Sequence, residues 1–268
     1  MYIADYHTHS HCSPDGMASM TDMAAAAVKK GLSEICFTDH VDLLPWAGGD
    51  VLPHFDFSAI AADFKEAQER WGDKIQLRLG MEMGDMVADF DVAQQYLQEA
   101  PPMDFIIGSI HRASPRFQRE DLIYMDRLYP RWDDMLTDYL EELYRHAQWG
   151  RFSVLGHLTL PLRYARENFG YDVTFEHHMT QVEQVLKMVI KRGIGIECNT
   201  NRGNLPLPDG EILRMYRQLG GEIITLGSDA HRPQHVGMAI AERQQLLKDC
   251  GFRYFCTFEQ MKPIFHTL

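Results

Sequence analysis

Several features that direct a protein to membranes or nucleic acids are missing from this sequence. It contains no run of about 18 apolar residues, the length that a membrane-spanning helix needs. Its formal net charge is -12, whereas nucleic acids and anionic membranes bind basic surfaces. The first residues, MYIADYH, contain no basic stretch followed by an apolar one, so we expect no secretion signal. We therefore expect neither a nucleic-acid partner nor a membrane partner.

Paired cysteines are also missing, and lysines are missing over a long stretch. The 5 cysteines are scattered and form no Cys-x-x-Cys pair, which favours reduced thiols over a disulfide framework and predicts a cytoplasmic protein. No lysine lies between Lys74 and Lys187, although arginines are frequent there. Because a guanidinium group binds two phosphate oxygens at once, a phosphate site in this part of the chain would depend on arginine.

What the sequence does contain is a repeated alternation of short apolar runs and longer amphipathic stretches, typical of the strands and helices of a parallel sheet. The predicted strands cover residues 2–7, 34–40, 75–84, 104–111, 153–158, 194–200 and 222–231. The predicted helices cover residues 19–31, 58–72, 90–100, 131–150, 174–193, 209–221 and 235–249. We expect Ser19 to cap the first helix, Gly31 to end it and Pro130 to open the fourth. The run 252–258 is ambiguous.

Metal-binding side chains lie at or near the carboxyl ends of six of the seven predicted strands. They are His7 and His9, His40, Glu82, His111, His157, and Asp229 with His231. The remaining strand ends in ECNT and offers softer groups. The carboxyl ends of a parallel barrel converge on one mouth, whereas those of an open sheet spread along an edge. The pattern therefore favours an α/β barrel of about seven strands with a metal site at its mouth.

The spacing and the number of these side chains indicate more than one ion. His7 and His9 are two residues apart, so on a strand they point to the same side, and Asp229 and His231 repeat this spacing. Imidazoles with carboxylates suit Zn, Fe or Mn. With Asp15 added, the mouth would hold six histidines and three carboxylates, too many ligands for one ion. The sequence predicts two to three divalent transition-metal ions, an arrangement suited to phosphoryl transfer.

The motifs HTHS…SPDG, FTDH, GMEMG, GSIH, LGH and GSDAH occur in this order over nearly the whole chain. They resemble the motifs of the PHP family, named for polymerase and histidinol phosphatase, and most of all those of its histidinol-phosphate phosphatases. The resemblance implies one domain, residues 1–268, folded as a distorted (βα)7 barrel. It also implies hydrolysis of L-histidinol phosphate to L-histidinol and phosphate in histidine biosynthesis, through attack by a metal-bound hydroxide.

The resemblance further implies three groups of metal ligands that share Glu82. The first is His7, His9, Glu82 and Asp229; the second is Glu82, His111 and His157; the third is Asp15, His40 and His231. Catalysis is expected to depend most on Glu82, Asp229 and His231. Some members of the family carry a histidine where this chain has Asp15, so the third site is expected to be harder in character.

Arginines that follow the strand ends are the candidates for binding phosphate. Arg163 and Arg202 are the first choice, because both should overhang the mouth of the barrel; Arg112 and Arg232 are the second. The alternative is that each of them pairs with acidic side chains on the surface.

Other functions and other roles remain open at this point. An amidohydrolase is the nearest rival enzyme, but its usual carbamylated lysine has no counterpart near His111. A PHP member acting on another small phosphomonoester and a non-catalytic PHP module, as found in some DNA polymerases, are further alternatives. Asp39 is predicted to hydrogen-bond a metal-bound imidazole, and His11 to be exposed. Cys12 is a conceivable nucleophile, but it lacks a basic loop to hold phosphate.

Overall fold

The computed structural model describes residues 1–128 and 131–268. The strands are β1 (Ala4–Asp5), β2 (Glu34–Phe37), β3 (Gln76–Gly84), β4 (Phe105–Ser109), β5 (Val154–Leu155), β6 (Gly195–Asn199), β7 (Ile224–Gly227), β8 (Tyr254–Glu259) and β9 (Lys262–Thr267). The α-helices are α1 (Met20–Lys29), α2 (Ser58–Trp71), α3 (Phe90–Glu99), α4 (Trp132–Trp149), α5 (Leu160–Phe169), α6 (Met179–Arg192), α7 (Gly210–Gln218) and α8 (Ile240–Asp249).

Strands β1 to β7 form one parallel sheet whose spatial order equals their order in the chain. The sheet curls until its first and last strands meet. Tyr6 N donates to Leu226 O at 2.9 Å, and Thr8 forms a parallel bridge with Ala230. The predicted barrel of seven parallel strands is therefore confirmed.

Side chains as well as backbone close the seam between β1 and β7. Asp5 is fully buried, and its carboxylate accepts hydrogen bonds from Ser228 N at 2.8 Å and Gly237 N at 2.7 Å. Both donors follow β7, whereas Asp5 belongs to β1. The short β1 is thus joined to the segment that follows β7 by a buried carboxylate whose hydrogen-bond donors come from that segment.

The amino end of the barrel is covered by the antiparallel hairpin of β8 and β9. Tyr6 Oη accepts from Phe258 N at 2.8 Å and donates to Glu34 Oε1 at 2.7 Å. The Phe258 ring also packs against Phe105 of β4, with 5.0 Å between the ring centroids. This hairpin accounts for the ambiguous run 252–258. It leaves the opposite, carboxyl end of the barrel as the accessible one.

Most predicted helices agree with the structure, and the differences have local causes. Ser19 caps α1 by accepting from Asp22 N at 3.1 Å, as predicted. Gly31 follows α1 with φ +73°, also as predicted. The helix predicted at 174–193 begins at Met179, after a short 3-10 turn over Glu176–His178. The helix predicted near 235–249 begins at Ile240, and the predicted role of Pro130 lies outside the described residues.

Helix α5 was not predicted from the sequence. This helix follows β5 after a short loop, and Pro161 occupies its first turn, where a proline needs no hydrogen-bond partner. Its mixed composition, LPLRYARENF, hides the apolar stripe among charged residues. The omission matters because α5 carries Arg163. Across the described residues, no helix combines the length and apolar character needed to cross a membrane.

Candidate metal centre and active site

A cleft of about 650 Å³ opens at the carboxyl ends of the barrel strands. Its floor is polar and includes Glu82 at the end of β3 and His157 after β5. Its walls come from the loops that follow the strands and from α5. All nine side chains predicted from the sequence lie at this end of the barrel, in three adjoining clusters.

The first cluster comprises His7, His9, Glu82 and Asp229. His7 Nε2 lies 3.4 Å from Glu82 Oε2 and 3.6 Å from Asp229 Oδ1. His9 Nε2 lies 3.6 Å from the same Glu82 oxygen and 3.5 Å from the same Asp229 oxygen. Two atoms bound at about 2.1 Å to one tetrahedral ion are about 3.4 Å apart. The four donor atoms are therefore spaced as ligands of a single ion.

Unsatisfied nitrogen atoms support this interpretation. His7 Nε2 and His9 Nε2 are buried and have no hydrogen-bond partner among the described residues. Buried polar atoms without partners are rare in folded proteins, because desolvation without a new bond is costly. Both nitrogens lie 3.4 to 3.6 Å from the carboxylate oxygens of Glu82 and Asp229. A bound cation would satisfy them.

Glu82 connects the first cluster to the second, which also contains His111 and His157. Its Oε1 lies 2.8 Å from His157 Nε2 and 3.3 Å from His111 Nε2, and it accepts from Ser109 Oγ at 2.6 Å. Its Oε2 faces the first cluster and also lies 3.1 Å from His40 Nδ1. One carboxylate thus offers an oxygen to each side, as a ligand shared by two ions would.

The third cluster comprises Asp15, His40 and His231. Asp15 lies 3.0 Å from His231 Nε2 and 3.7 Å from His40 Nε2. The His9 ring packs between the other two imidazoles, with centroid distances of 4.1 Å to His231 and 4.3 Å to His40. Asp15 is 40% exposed, so this cluster is the most open of the three. Asp229 and His231, although two residues apart, serve different clusters.

The clusters perturb one another's pKa values strongly. Burial raises the pKa of Glu82, but the imidazoles of His7, His111 and His40 outweigh this effect and hold it well below the usual range. Burial lowers the pKa of His40, yet Glu82 and Asp42 raise it to about 9. Burial, reinforced by His231 and His40, lowers the pKa of His9 to about 3. The centre therefore keeps its carboxylates ionised, the form that binds cations.

A second layer of side chains orients the imidazoles, and its main member, Glu197, was not predicted from the sequence. His7 Nδ1 donates to Glu197 Oε1 at 2.7 Å, which leaves His7 Nε2 for the first cluster. Glu197 also accepts from His157 N at 2.7 Å. It lies on β6, the strand whose end had seemed to offer only softer groups. Its charge inside a fully buried strand was the signal that could have revealed it.

The prediction for Asp39 was wrong in its partner. Asp39 accepts from Ser10 N at 2.7 Å and from Ser13 Oγ at 2.6 Å rather than from an imidazole. Ser13 Oγ lies 3.1 Å from His9 Nδ1. Because this hydroxyl gives its proton to Asp39, it accepts from His9, and Asp39 orients the imidazole at one remove.

Asp42 makes the contact to an imidazole that was predicted for Asp39. Its Oδ1 lies 3.3 Å from His111 Nδ1, while its Oδ2 accepts from Trp46 Nε1 at 2.6 Å. The contact depends on Gly84 at the end of β3, because a Cβ atom there would overlap Asp42 Oδ1 and press on His111. The second glycine of GMEMG thus keeps this approach open.

The arginines line the cleft in different ways. Arg163 Nη1 lies 3.2 Å from Asp229 Oδ2, so this guanidinium contacts the first cluster directly. Arg202 lies at the rim, 38% exposed and 3.7 Å from Glu167. Arg112 donates to the carbonyl oxygens of Pro45 and Trp46 and supports a loop, whereas Arg232 is exposed at the rim. The first-choice pair therefore includes the guanidinium that touches a metal-ligand candidate.

Comparisons with known proteins agree with this picture. A family model for the PHP domain matches residues 5–201. The chain belongs to the PHP domain family. The PHP chain is 29% identical to a probable histidinol-phosphatase of Thermotoga maritima, over 94% of both proteins. It is 27% identical to a histidinol-phosphatase of Lactococcus lactis subsp. lactis, over 96% of this chain and 95% of that protein.

A solved structure extends the similarity to three dimensions. A crystal structure of a histidinol phosphate phosphatase from Lactococcus lactis subsp. lactis, in complex with zinc, L-histidinol and phosphate, superposes on this PHP chain with a TM-score of 0.80. The two share 25% identity, and the match covers 98% of each chain. The barrel fold predicted from the motifs is thereby confirmed independently of the strand order.

Proposed function

We propose that this PHP protein is a metal-dependent phosphomonoesterase that hydrolyses L-histidinol phosphate to L-histidinol and phosphate. The observation that carries the proposal is the arrangement around Glu82, whose two oxygens face separate groups of imidazoles at the floor of an open cleft. The similarity to histidinol-phosphatases over nearly the whole chain supports the choice of substrate.

We further propose that the three clusters hold two to three divalent transition-metal ions, of Zn, Fe or Mn. The donor set of imidazoles and carboxylates suits these metals, and the structurally similar Lactococcus enzyme contains zinc. Such ions would lower the pKa of a bound water and offset the charge of the phosphate oxygens. Glu82, Asp229 and His231 are the proposed catalytic ligands, with His7, His9, Asp15, His40, His111 and His157 completing the set.

The chain's own residues prepare the ligands for this task. Glu197 holds the proton on His7 Nδ1, and Ser13, itself fixed by Asp39, holds the proton on His9 Nδ1. Asp42 does the same for His111. Each imidazole therefore presents the lone pair of Nε2 to the clusters in a fixed orientation.

Arg163 and Arg202 are proposed to bind the phosphate. Arg163 is only 15% exposed, and its guanidinium lies beside Asp229, so a phosphate held at the first cluster would lie within its reach. Arg202, on the loop after β6, shares Glu167 as a neighbour with Arg163. The two guanidinium groups thus converge on the same part of the cleft.

The outer part of the cleft suits the organic part of the substrate. Histidinol phosphate carries an imidazole and an ammonium group beside its phosphate. The walls offer the aromatic rings of Trp46 and Tyr124, and the carboxylate of Asp121. Trp46 is held in place by its bond to Asp42. These groups can stack on an imidazole and pair with a cation.

The structure also bears on the attacking group. Cys12 is half-buried and does not line the cleft, so its thiol has no access to a phosphate at the clusters. We propose that water attacks phosphorus directly. The stereochemical course of hydrolysis of a substrate made chiral at phosphorus with oxygen isotopes tests this: a single direct displacement should invert the configuration. Retention of configuration would contradict the proposal and indicate two displacements through a phosphoenzyme, for example on Asp15.

The substrate is tested by a panel of phosphomonoesters at equal metal loading. L-histidinol phosphate should give the highest kcat/KM, well above a generic substrate such as p-nitrophenyl phosphate. If it ranks no higher than the generic esters, the substrate assignment falls while the phosphatase assignment stands. If no ester is hydrolysed by metal-loaded protein, the chain is the non-catalytic module considered above.

Helix α5 offers a matched pair for testing the phosphate site. Arg163→Ala should lower kcat/KM at least about a hundredfold, since a charge-assisted pair of hydrogen bonds is lost. Arg166→Ala, on the same helix but paired with Asp172 at the surface, should leave it unchanged. Metal content should be equal in both variants. Unchanged kinetics in both Arg163→Ala and Arg202→Ala would move the phosphate site to Arg112 and Arg232.

The cellular location belongs to the same proposal. All five cysteines are free, and four of them are buried, which suits a reducing compartment such as the cytoplasm.

A further inference from the structure

A second group of metal-binding side chains lies outside the cleft, on the other side of the loop that carries Asp15. It comprises His11, Cys12 and Asp63, whose potential ligand atoms all lie within 4.8 Å of one another. His7 and His9 point into the barrel, whereas His11 points outward and is 55% exposed. None of the three residues lines the cleft.

Hydrogen bonds already hold the backbone of His11 and Cys12 and the carboxylate of Asp63 in place. His11 N donates to Ala18 O at 2.7 Å, and Cys12 N donates to Ser10 Oγ at 3.1 Å. Asp63, on α2, is 8% exposed and accepts from Met20 N at 2.9 Å. Its carboxylate keeps lone pairs for a further partner. The group is therefore held by two separate segments of the chain, the loop of His11 and Cys12 and helix α2.

The distances suit one tetrahedral ion. His11 Nε2 lies 3.5 Å from Asp63 Oδ2. Two such atoms bound to one zinc ion at about 2.1 Å are about 3.4 Å apart, and a sulfur bound at about 2.3 Å is about 3.6 Å from either. The sulfur of the half-buried Cys12 lies within 4.8 Å of both atoms, so a shift of about 1 Å would complete this spacing. A water molecule would fill the fourth position.

We propose that His11, Cys12 and Asp63 form a peripheral site for one divalent ion of the zinc group, Zn²⁺ or Cd²⁺. The thiolate makes this site softer than the clusters of the cleft, which contain only imidazoles and carboxylates. On binding, the ion replaces the thiol proton of Cys12, which passes to the solvent, and no oxidant or reductant is involved. The site is independent of the proposed phosphatase activity.

The thiol of Cys12 gives the experiment its signal. Cys12 is the one cysteine of the five that is not buried, so it should be the thiol that a reagent such as DTNB modifies first in the folded protein. The holoprotein, freed of excess metal, is titrated with Cd²⁺. One equivalent should produce the ultraviolet charge-transfer band of a Cd²⁺–thiolate bond. The same equivalent should slow the reaction of Cys12 with DTNB at least about tenfold.

Variants distinguish a three-ligand site from a thiol that binds metal alone. Cys12→Ser should abolish the band, and His11→Gln and Asp63→Asn should each weaken Cd²⁺ binding at least about tenfold. Glu66→Gln, an equal change of charge at an exposed position of the same helix, should bind as the wild type does. His11 is exposed, so its variant remains informative even if Asp63→Asn disturbs folding.

Three outcomes would overturn the proposal. The first is a DTNB rate that does not change with Cd²⁺ or Zn²⁺ in excess. The second is a charge-transfer band that persists in Cys12→Ser, which would place it on another thiol. The third is wild-type affinity in both His11→Gln and Asp63→Asn, which would reduce the site to a thiol without partners.

Discussion

His146 offers a direct test of how burial sets charge in this protein. It lies on α4 with no exposed surface, and among the described residues neither of its ring nitrogens has a hydrogen-bond partner. The ring packs against Phe152 at a centroid distance of 4.7 Å. Burial, with a smaller effect of His111, lowers the pKa of His146 to about 3. The ring is therefore neutral in the folded protein over the range in which an unfolded chain would protonate it.

The sign and size of the effect follow from linkage. A histidine in an unfolded chain has a pKa near 6.5, so below this pH the unfolded state binds a proton that the folded state does not. The free energy of unfolding should therefore be unaffected above about pH 6.5. Below it, the loss should be about 1.4 kcal/mol per pH unit, continuing towards pH 3. At pH 5 the accumulated loss is about 2 kcal/mol from this one residue.

His146→Leu removes the titrating ring without breaking a hydrogen bond. Wild type and variant, each loaded with the same metal, are unfolded in urea at about pH 7.5 and at about pH 5. Relative to the wild type, the unfolding free energy of the variant should be about 2 kcal/mol higher at about pH 5 than at about pH 7.5. His177→Leu, at an exposed position, is the control and should run parallel to the wild type. Parallel curves for His146→Leu would refute the reasoning and show that the ring is solvated or charged inside the fold.

Three further predictions concern the metal centre. Glu82→Ala should lower kcat at least about a thousandfold, which corresponds to about 4 kcal/mol of barrier. Elemental analysis should also show a loss of metal, and full metal content would show that Glu82 is not the shared ligand. Glu197→Gln should weaken metal binding about ten- to a hundredfold, measured in competition with a chelator, because His7 loses its carboxylate partner. Glu183→Gln, on α6, is the control and should not weaken it. Equal metal affinities of the two variants would count against a role of the second layer. Gly84→Ala should displace Asp42 and lower both metal content and activity; a variant with normal content would mean that the strand can shift to accept the Cβ atom.

The sequence predicted the cluster members well because their positions follow from strand geometry. A histidine or carboxylate at the carboxyl end of a barrel strand has only the mouth to occupy, so His40, His111 and His157 could be placed without coordinates. The assignment of Asp229 and His231 to separate clusters came from the family resemblance and not from strand geometry. Both residues follow the end of β7, and Asp229 adopts a left-handed backbone conformation, φ 56°, so the side-chain alternation of a strand does not apply to them.

The second layer of side chains was harder to predict, because its members are defined by tertiary contacts and not by their place at the end of a strand. Glu197 resembles a residue of an ordinary strand until His7 is placed 2.7 Å away, across a separation of 190 residues. In DHVD, Asp39 directly precedes His40 and Asp42 follows it by two residues. Asp39 is engaged by Ser10 and Ser13, which leaves Asp42 as the one that reaches an imidazole. Local sequence contains the candidates for such roles, but the tertiary contacts select among them.

The seam between β1 and β7 has a consequence for the order in which the centre can be assembled during protein synthesis. His7 emerges from the ribosome early, but its partner Asp229 and the Ser228 amide that binds Asp5 emerge more than 200 residues later. The last member of the second cluster, His157, is translated before β6 and β7, whereas the first cluster also needs Asp229, which follows β7. The complete centre can therefore assemble only late, when the final strand docks beside the first.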